Sequence, residues 1–273
     1  MIQHTANKPL TELFASENQG HYYIPKYQRE YIWSKFNWES LFDDVDESQG
    51  GHFLGSIICI NTQTDSLKAP ILELVDGQQR MTTISLFYLA IYHYLSKNLP
   101  LDNEEQKYKL FGLRQKIVLE NKKPRVTPSH SAGNFHDYNW IFYEVFGDGV
   151  IKPLEKPKFL GLRRMSKAFD YFFDRLNAED GEGNPIFNYN KVQQLLSKLN
   201  SATIVKIDVS NHSDAFTLFE TLNNRGVPLS AVDLIKNKLL GKLEKDDPNS
   251  IDVNFKRWSK VVNNLTDEYS VQE

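Results

Sequence analysis

The segment Val75-Asp76-Gly77-Gln78-Gln79-Arg80-Met81-Thr82-Thr83 joins an apolar run to a helical one and carries groups suited to phosphate chemistry. A helix start exposes unpaired N–H groups and the positive end of a dipole. Gly77 lets the backbone turn and come close to a ligand. Arg80 can pair with two phosphate oxygens at once. Gln78 and Gln79 can donate to phosphate or orient a water. Thr82 and Thr83 add hydroxyls, and Asp76 is the nearest group for a magnesium ion, held through water. A plainer alternative also accounts for these residues, in which Asp76 caps the helix and Arg80 faces solvent. The Gly-x4-Gly-Lys-Ser/Thr pattern of a P-loop is absent.

Three further groups call for weighing. Ile24-Pro25-Lys26-Tyr27-Gln28-Arg29-Glu30-Tyr31-Ile32-Trp33 interleaves basic, amide and aromatic side chains. Such a stretch can grip phosphate and stack on a base. Alternatively, it buries Tyr27, Tyr31 and Trp33 and pairs Arg29 with an acid. Phe219 to Ser230, followed by Asp233-Leu234-Ile235-Lys236-Asn237, reads as helix, Gly-containing turn, helix. The second helix, Ala231 to Leu240, has two lysines and few base-reading side chains, so an αα-corner with Arg225 facing a pocket fits better than a DNA reader. His130, Asn134, His136 and Asn139 imitate a nuclease His-Asn-His set. They lie in a polar stretch with no cysteine or acidic cluster to hold a metal, and we set them aside.

The elements that must position these groups fall into two halves. Tyr22 to Ile24 is extended up to Pro25, and Trp38 to Val45 is a short helix. His52 to Asn61 and Ile71 to Val75 are strands joined by a polar hairpin-like loop. A helix follows from Gln79 to Lys97, with Ile84, Tyr88, Ile91 and Leu95 on one face. The second half is mainly helical. Leu162, Met165, Phe169, Phe172 and Leu176 form one stripe, and Val192, Leu195, Leu196 and Leu199 another. Ala202 to Val209 alternates as a strand with Val205, Ile207 and Val209 on one side. A helix with Ala215, Phe219 and Leu222 follows, capped by Asn211 or Ser213. Asn223 to Pro228 is a turn, and Ser230 caps the next helix. Polar connectors are expected at 98–107, 121–134, 147–158 and 178–185.

Composition bounds the function. The chain has 273 residues, 40% of them hydrophobic, which suffices for one large domain or two modest ones. A net charge of −3 argues against a non-specific DNA coat, so contact with nucleic acid requires a local basic patch. With one cysteine, Cys59, the chain can form no internal disulfide, and its isoleucine neighbours point to a small buried hydrophobe. The apolar runs are too short to span a bilayer, and Met1 to Leu10 lacks the apolar stretch of a signal peptide. A cytoplasmic location is the expectation. The stretch 267–273 holds no closing element, and we expect the chain to be a piece of something longer.

Three motifs occur in order: Ile-Pro-x-Tyr-Gln-Arg-x-Tyr-x-Trp, then Phe-Leu-Gly-Ser-Ile with Asp-Gly-Gln-Gln-Arg-x-Thr-Thr, then Leu-Asn-x-Arg-Gly-x-x-Leu-x-x-x-Asp-Leu-Ile-Lys-Asn. Their combination, over Tyr23 to about Leu240, resembles the GmrSD-type family of modification-dependent (type IV) restriction systems. The resemblance implies an α+β fold: a ParB/sulfiredoxin-like domain over 1–97, then a mainly helical region over 98–273. It implies that Asp76, Gly77, Gln78, Gln79 and Arg80 handle a nucleoside triphosphate whose hydrolysis regulates the enzyme. Tyr27, Gln28 and Arg29 would face the same pocket or a DNA-sensing surface.

On that basis Asp76, Gln78, Gln79 and Arg80 are the catalytic candidates. Gly77, Thr82, Thr83, Tyr27, Gln28, Arg29, Asn223, Arg225 and Lys236 are nucleotide-binding candidates, and Pro25, Tyr27, Gln28, Tyr31 and Trp33 DNA-sensing ones. The implied cofactor is Mg2+ with GTP, UTP, CTP or ATP, held at Asp76. The implied partners are modified or foreign DNA, a His-Asn-His nuclease domain or subunit, and a second copy in a homodimer. Family members usually carry that nuclease at the C-terminus. No such motif precedes Glu273, so no DNA cleavage is expected from this chain alone. The competing expectation is a DNA-sensing or protein-contact module without nucleotide turnover. An oxidoreductase role fits poorly, because Cys59 lies in an apolar strand.

Overall fold

The computed structural model describes residues 2–222 except 18, 64, 66, 100–102 and 130–132, and beyond them residues 235, 239, 253, 254, 256–258 and 260. Statements of absence below concern the described residues. The fold is α+β. Six strands, β1 (Ile2–Pro9), β2 (His21–Tyr23), β3 (Phe53–Asn61), β4 (Ile71–Asp76), β5 (Val126–Thr127) and β6 (Thr203–Val209), form one mixed sheet in the order β1-β6-β3-β4-β2-β5. β3 and β4 pair antiparallel as the polar loop between them requires, and β2 joins β4 in parallel. β6 lies between β1 and β3, so the sheet draws a central strand from the second half of the chain.

The helices are α1 (Leu10–Leu13), α2 (Lys35–Glu47), α3 (Gln78–Lys97), α4 (Glu104–Ile117), α5 (Asn134–Phe146), α6 (Arg164–Leu176), α7 (Tyr189–Ser201) and α8 (His212–Leu222). α3 is the hub. The expected single apolar face is too narrow a description, since every residue from Met81 to Ile91 is buried. It packs against α4, α5, α6 and α7, with Phe87 stacked on Phe172 at a ring separation of 4.5 Å. A helix enclosed on all sides has no solvent face to spare for polar residues.

Elsewhere the expectations need adjustment. Leu162 does not join the α6 stripe. It sits in a short 3-10 turn with 71% of its surface exposed, because Arg163 is extended and interrupts the helix. The connector expected over 98–107 ends in the first turn of α4, which Asn103 caps by accepting from the Gln106 N–H at 3.0 Å. β1 was not anticipated: its mostly polar sequence reads as coil and becomes a strand by pairing with β6. The cap on α8 is Asn211, whose side chain accepts from the Asp214 N–H at 2.9 Å. Arg125, 1% exposed, donates to the carbonyls of Lys116, Gln115 and Gly20 and so ties the end of α4 to β2. α8 packs on the opposite face of the sheet, where Ile58, Ile60, Val75, Ile207 and Val209 meet Ala215 and Phe216.

Candidate functional site

β4 ends at Asp76, Gly77 turns the chain, and α3 begins. Gly77 is left-handed, with φ of 81°. A β-carbon there would lie 2.5 Å from the Ile57 methyl Cγ2 and 3.0 Å from the Ser56 carbonyl oxygen. Both sterics and backbone conformation therefore call for glycine. No side chain caps α3. Asp76 stands one residue too early for that task and accepts instead from the Gly77 N–H. The first-turn N–H groups of a 20-residue helix are thus left without a side-chain acceptor.

Arg80 lies across β3. Its Nη1 donates to the Ser56 carbonyl at 2.7 Å, and its guanidinium covers Gly55, where a β-carbon would come within 2.8 Å of Nη2. Asp76 lies within electrostatic reach of both Arg80 and Arg29. Burial raises the Asp76 carboxyl above its ordinary value, against the Gly77 hydrogen bond and the two cations. Burial likewise lowers the Arg80 guanidinium, against the pull of Asp76. The turn therefore concentrates two cations and one carboxyl at an uncapped helix start.

The two glutamines divide the work. Gln79 is committed to the backbone: its Oε1 accepts from Ile32 N–H at 2.8 Å and Trp33 N–H at 3.4 Å, and its Nε2 donates to the Glu30 carbonyl at 2.9 Å. It shapes the 30–33 segment, and its oxygen is fully engaged there. Gln78 Oε1 is buried and has no hydrogen-bond partner. Gln78 lines a crevice of about 10 Å³ with Arg29, Thr82, Ser129 and Asn134. That space holds one water-sized group.

Several candidates point inward. Thr83 Oγ1 donates to the Gln79 carbonyl and pairs with the Tyr31 hydroxyl, which also accepts from Trp38 Nε1 at 2.8 Å. Tyr27 donates to Glu73 in the interior, and Gln28 Nε2 donates to the Val75 carbonyl at 2.8 Å. Pro25, Tyr27 and Tyr31 are buried, and Trp33 is half-buried against the main core. Pro25, Tyr27 and Tyr31 are thus withdrawn from direct contact with DNA, while Trp33 keeps part of its surface in solvent. Of the Tyr-Gln-Arg segment, Arg29 is the member that reaches the crevice. Asn223, Arg225 and Lys236 lie outside the described residues.

The sequence reading missed Ser129 as a crevice residue and saw Asn134 only in a false nuclease set. Asn134 opens α5 and is buried, whereas His136 on the same helix is exposed, and His130 lies outside the described residues. No cluster of three metal-ligating side chains occurs among the described residues. Glu73 was also missed, although a lone acid in the apolar run Ile71-Leu72-Glu73-Leu74-Val75 is a legible signal. Its carboxylate takes hydrogen bonds from Tyr23 at 2.6 Å, from Tyr27 and from His212 at 2.7 Å. Burial alone would raise its pKa, but His212 and the two tyrosines hold it below the ordinary value. Cys59 is buried and its thiol is pushed up to about 12 by burial, which makes it inert.

The model of the GmrSD restriction endonuclease N-terminal domain matches residues 10–240, most of the chain. The uncharacterized protein MJ0686 of Methanocaldococcus jannaschii is 25% identical over 254 residues, which is 84% of this chain and 40% of that protein. The chain thus spans less than half the length of this relative. No helix among the described residues is long and apolar enough to cross a membrane.

Proposed function

We propose a function on the premise that this chain belongs to the GmrSD restriction endonuclease N-terminal domain family. The domain binds a nucleoside triphosphate at the Asp76–Arg80 turn and hydrolyses it to the diphosphate and phosphate. This turnover regulates a restriction enzyme that acts on modified or foreign DNA and whose His-Asn-His nuclease is a further domain or subunit. The sheet and turn belong, in this reading, to a ParB/sulfiredoxin-like module, and the protein works in the cytoplasm as a homodimer.

One observation carries the reading: an uncapped helix start faces Arg80, Arg29 and Asp76 across a turn that only glycine fits. The free N–H groups and the two guanidiniums match the charge of a triphosphate, including the charge that develops as the terminal phosphoryl group departs. Arg29 comes from the loop after β2 and Arg80 from the first turn of α3, so the two can approach a phosphate from different elements. Gln78 is the amide suited to the attacking water, because its oxygen is unpartnered while Gln79 is tied to the backbone. Its oxygen accepts a hydrogen bond from the water as the new oxygen–phosphorus bond forms and the bridging bond breaks. One half-buried carboxyl matches a magnesium ion that arrives with the nucleotide, since that ion needs few protein ligands when phosphates and waters supply the rest. Asp76 would hold it, and it would supply charge neutralisation.

The test is phosphate release by the purified chain with magnesium and each of the four ribonucleoside triphosphates, beside Arg80→Ala and Gln78→Ala. The expected result is turnover lost in Arg80→Ala and reduced about 100-fold in Gln78→Ala, with nucleotide affinity kept in the latter. Unchanged turnover in Arg80→Ala sinks the model. Absence of both binding and turnover in the parent chain selects a DNA-sensing or protein-contact module.

A further inference from the structure

A second site lies at the other end of β4, away from the turn. On the helix-covered face of the sheet, Ile204, Lys206 and Asp208 of β6 run beside Ile57, Cys59 and Asn61 of β3. Ile204, Ile57 and Cys59 are fully buried. A central strand that follows such an isoleucine with a lysine and an aspartate on the same face breaks the apolar pattern, and breaks of this kind mark sites. Over this end of the sheet lies a cavity of about 440 Å³, the size of a small-molecule pocket. His4, Asn61, Lys206, Asp208, Tyr22 and Leu72 contribute to its wall.

Tyr22 is the telling residue. It is fully buried, and its hydroxyl has no hydrogen-bond partner. Native proteins keep few such groups, because an unpaired buried hydroxyl costs stability that phenylalanine would recover. Burial raises the pKa of this hydroxyl, and Cys59 and Asp208 act in the same direction against Arg125; Tyr22 and Asp208 both belong to the wall of this one cavity. The cavity is electrically balanced: Lys206 pairs with Asp208, and Lys8 with Glu12 at 2.7 Å. A phosphate gains little there. Leu13, Leu72 and Pro70 add apolar surface suited to a flat ring rather than to a polyhydroxylated sugar.

We propose that this cavity binds an uncharged heteroaromatic ring of nucleobase size, with a ring acceptor on the Tyr22 hydroxyl and an N–H on the Asp208 carboxylate. Adjacent acceptor and donor atoms on one edge are what such rings offer. The ring comes either from a free nucleoside or from a base displaced out of a strand, and the two are separable.

The experiment titrates the four free nucleosides and a short single-stranded oligodeoxynucleotide into the whole chain by calorimetry. Inorganic tripolyphosphate is present to occupy the Asp76–Arg80 turn. Nucleoside binding weakened about tenfold by Tyr22→Phe and by Asp208→Asn supports a free ligand. Oligonucleotide binding alone, with the same two sensitivities, assigns the base to a strand. Without ligand, Tyr22→Phe should melt about 2–4 °C higher than the parent, since it removes an unsatisfied group. Binding of neither probe, binding that both substitutions leave intact, or a lower melting temperature for Tyr22→Phe overturns the proposal.

Discussion

Replacing Gly77 with alanine tests whether the turn is held as tightly as its contacts require. The new methyl must occupy a left-handed conformation, which costs an L-residue about 1–2 kcal/mol. It must also push against the Ile57 side chain at 2.5 Å and the Ser56 carbonyl at 3.0 Å. Overpacking of this kind costs about 1–3 kcal/mol. Together the loss should be about 2–5 kcal/mol, seen as a lower urea midpoint at unchanged slope. The same substitution at Gly112, within α4, supplies the control, because a β-carbon there meets nothing within 4 Å. It should stabilise by about 0.5–1 kcal/mol, as alanine does over glycine in a helix. A Gly77→Ala loss below about 1 kcal/mol, or a shift of the same sign at both glycines, would refute the argument that close approach at the turn dictates glycine.

Two further outcomes follow from the interior hydrogen bonds. Tyr31→Phe removes the acceptor of Trp38 Nε1 and a partner of Thr83, and should cost about 1–3 kcal/mol by denaturation; an unchanged midpoint would show that this network holds nothing. Glu73 has a folded pKa below its ordinary value of 4.5, so the unfolded chain takes up its proton first on acidification. Its stabilisation is therefore complete above that value and is lost as pH falls through the lower folded one. Glu73→Gln should flatten that part of the stability-against-pH curve relative to the parent, and parallel curves would exclude the carboxylate as the source.

The residues of the candidate turn were readable because their neighbours in the chain supply their setting. An apolar run, a glycine and a helical run specify a strand, turn and helix start locally, and Asp76, Gly77 and Arg80 stand where that reading puts them. The amphipathic helices α6 and α7 were legible for a related reason, since apolar spacing records which face is buried. β1 was not legible, because its strand state depends on a partner about two hundred residues away.

The sequence by itself determined the α+β class, the motif order that marks the family and the glycine turn before α3. Only the tertiary structure decided which members of each motif have their polar atoms satisfied inside the fold and which do not. Gln78 and Gln79 are adjacent and identical, yet packing against the 30–33 backbone consumes one and leaves the other's oxygen unpaired. Arg29 reaches the crevice while Tyr27 turns inward to Glu73, and Tyr31 lines the crevice wall with its hydroxyl held by Thr83 and Trp38. The buried, unpartnered hydroxyl of Tyr22 has no local signal at all. Side-chain type and spacing record local backbone and burial, but the partner that satisfies a polar atom comes from elements distant in the chain, and the fold alone brings them together.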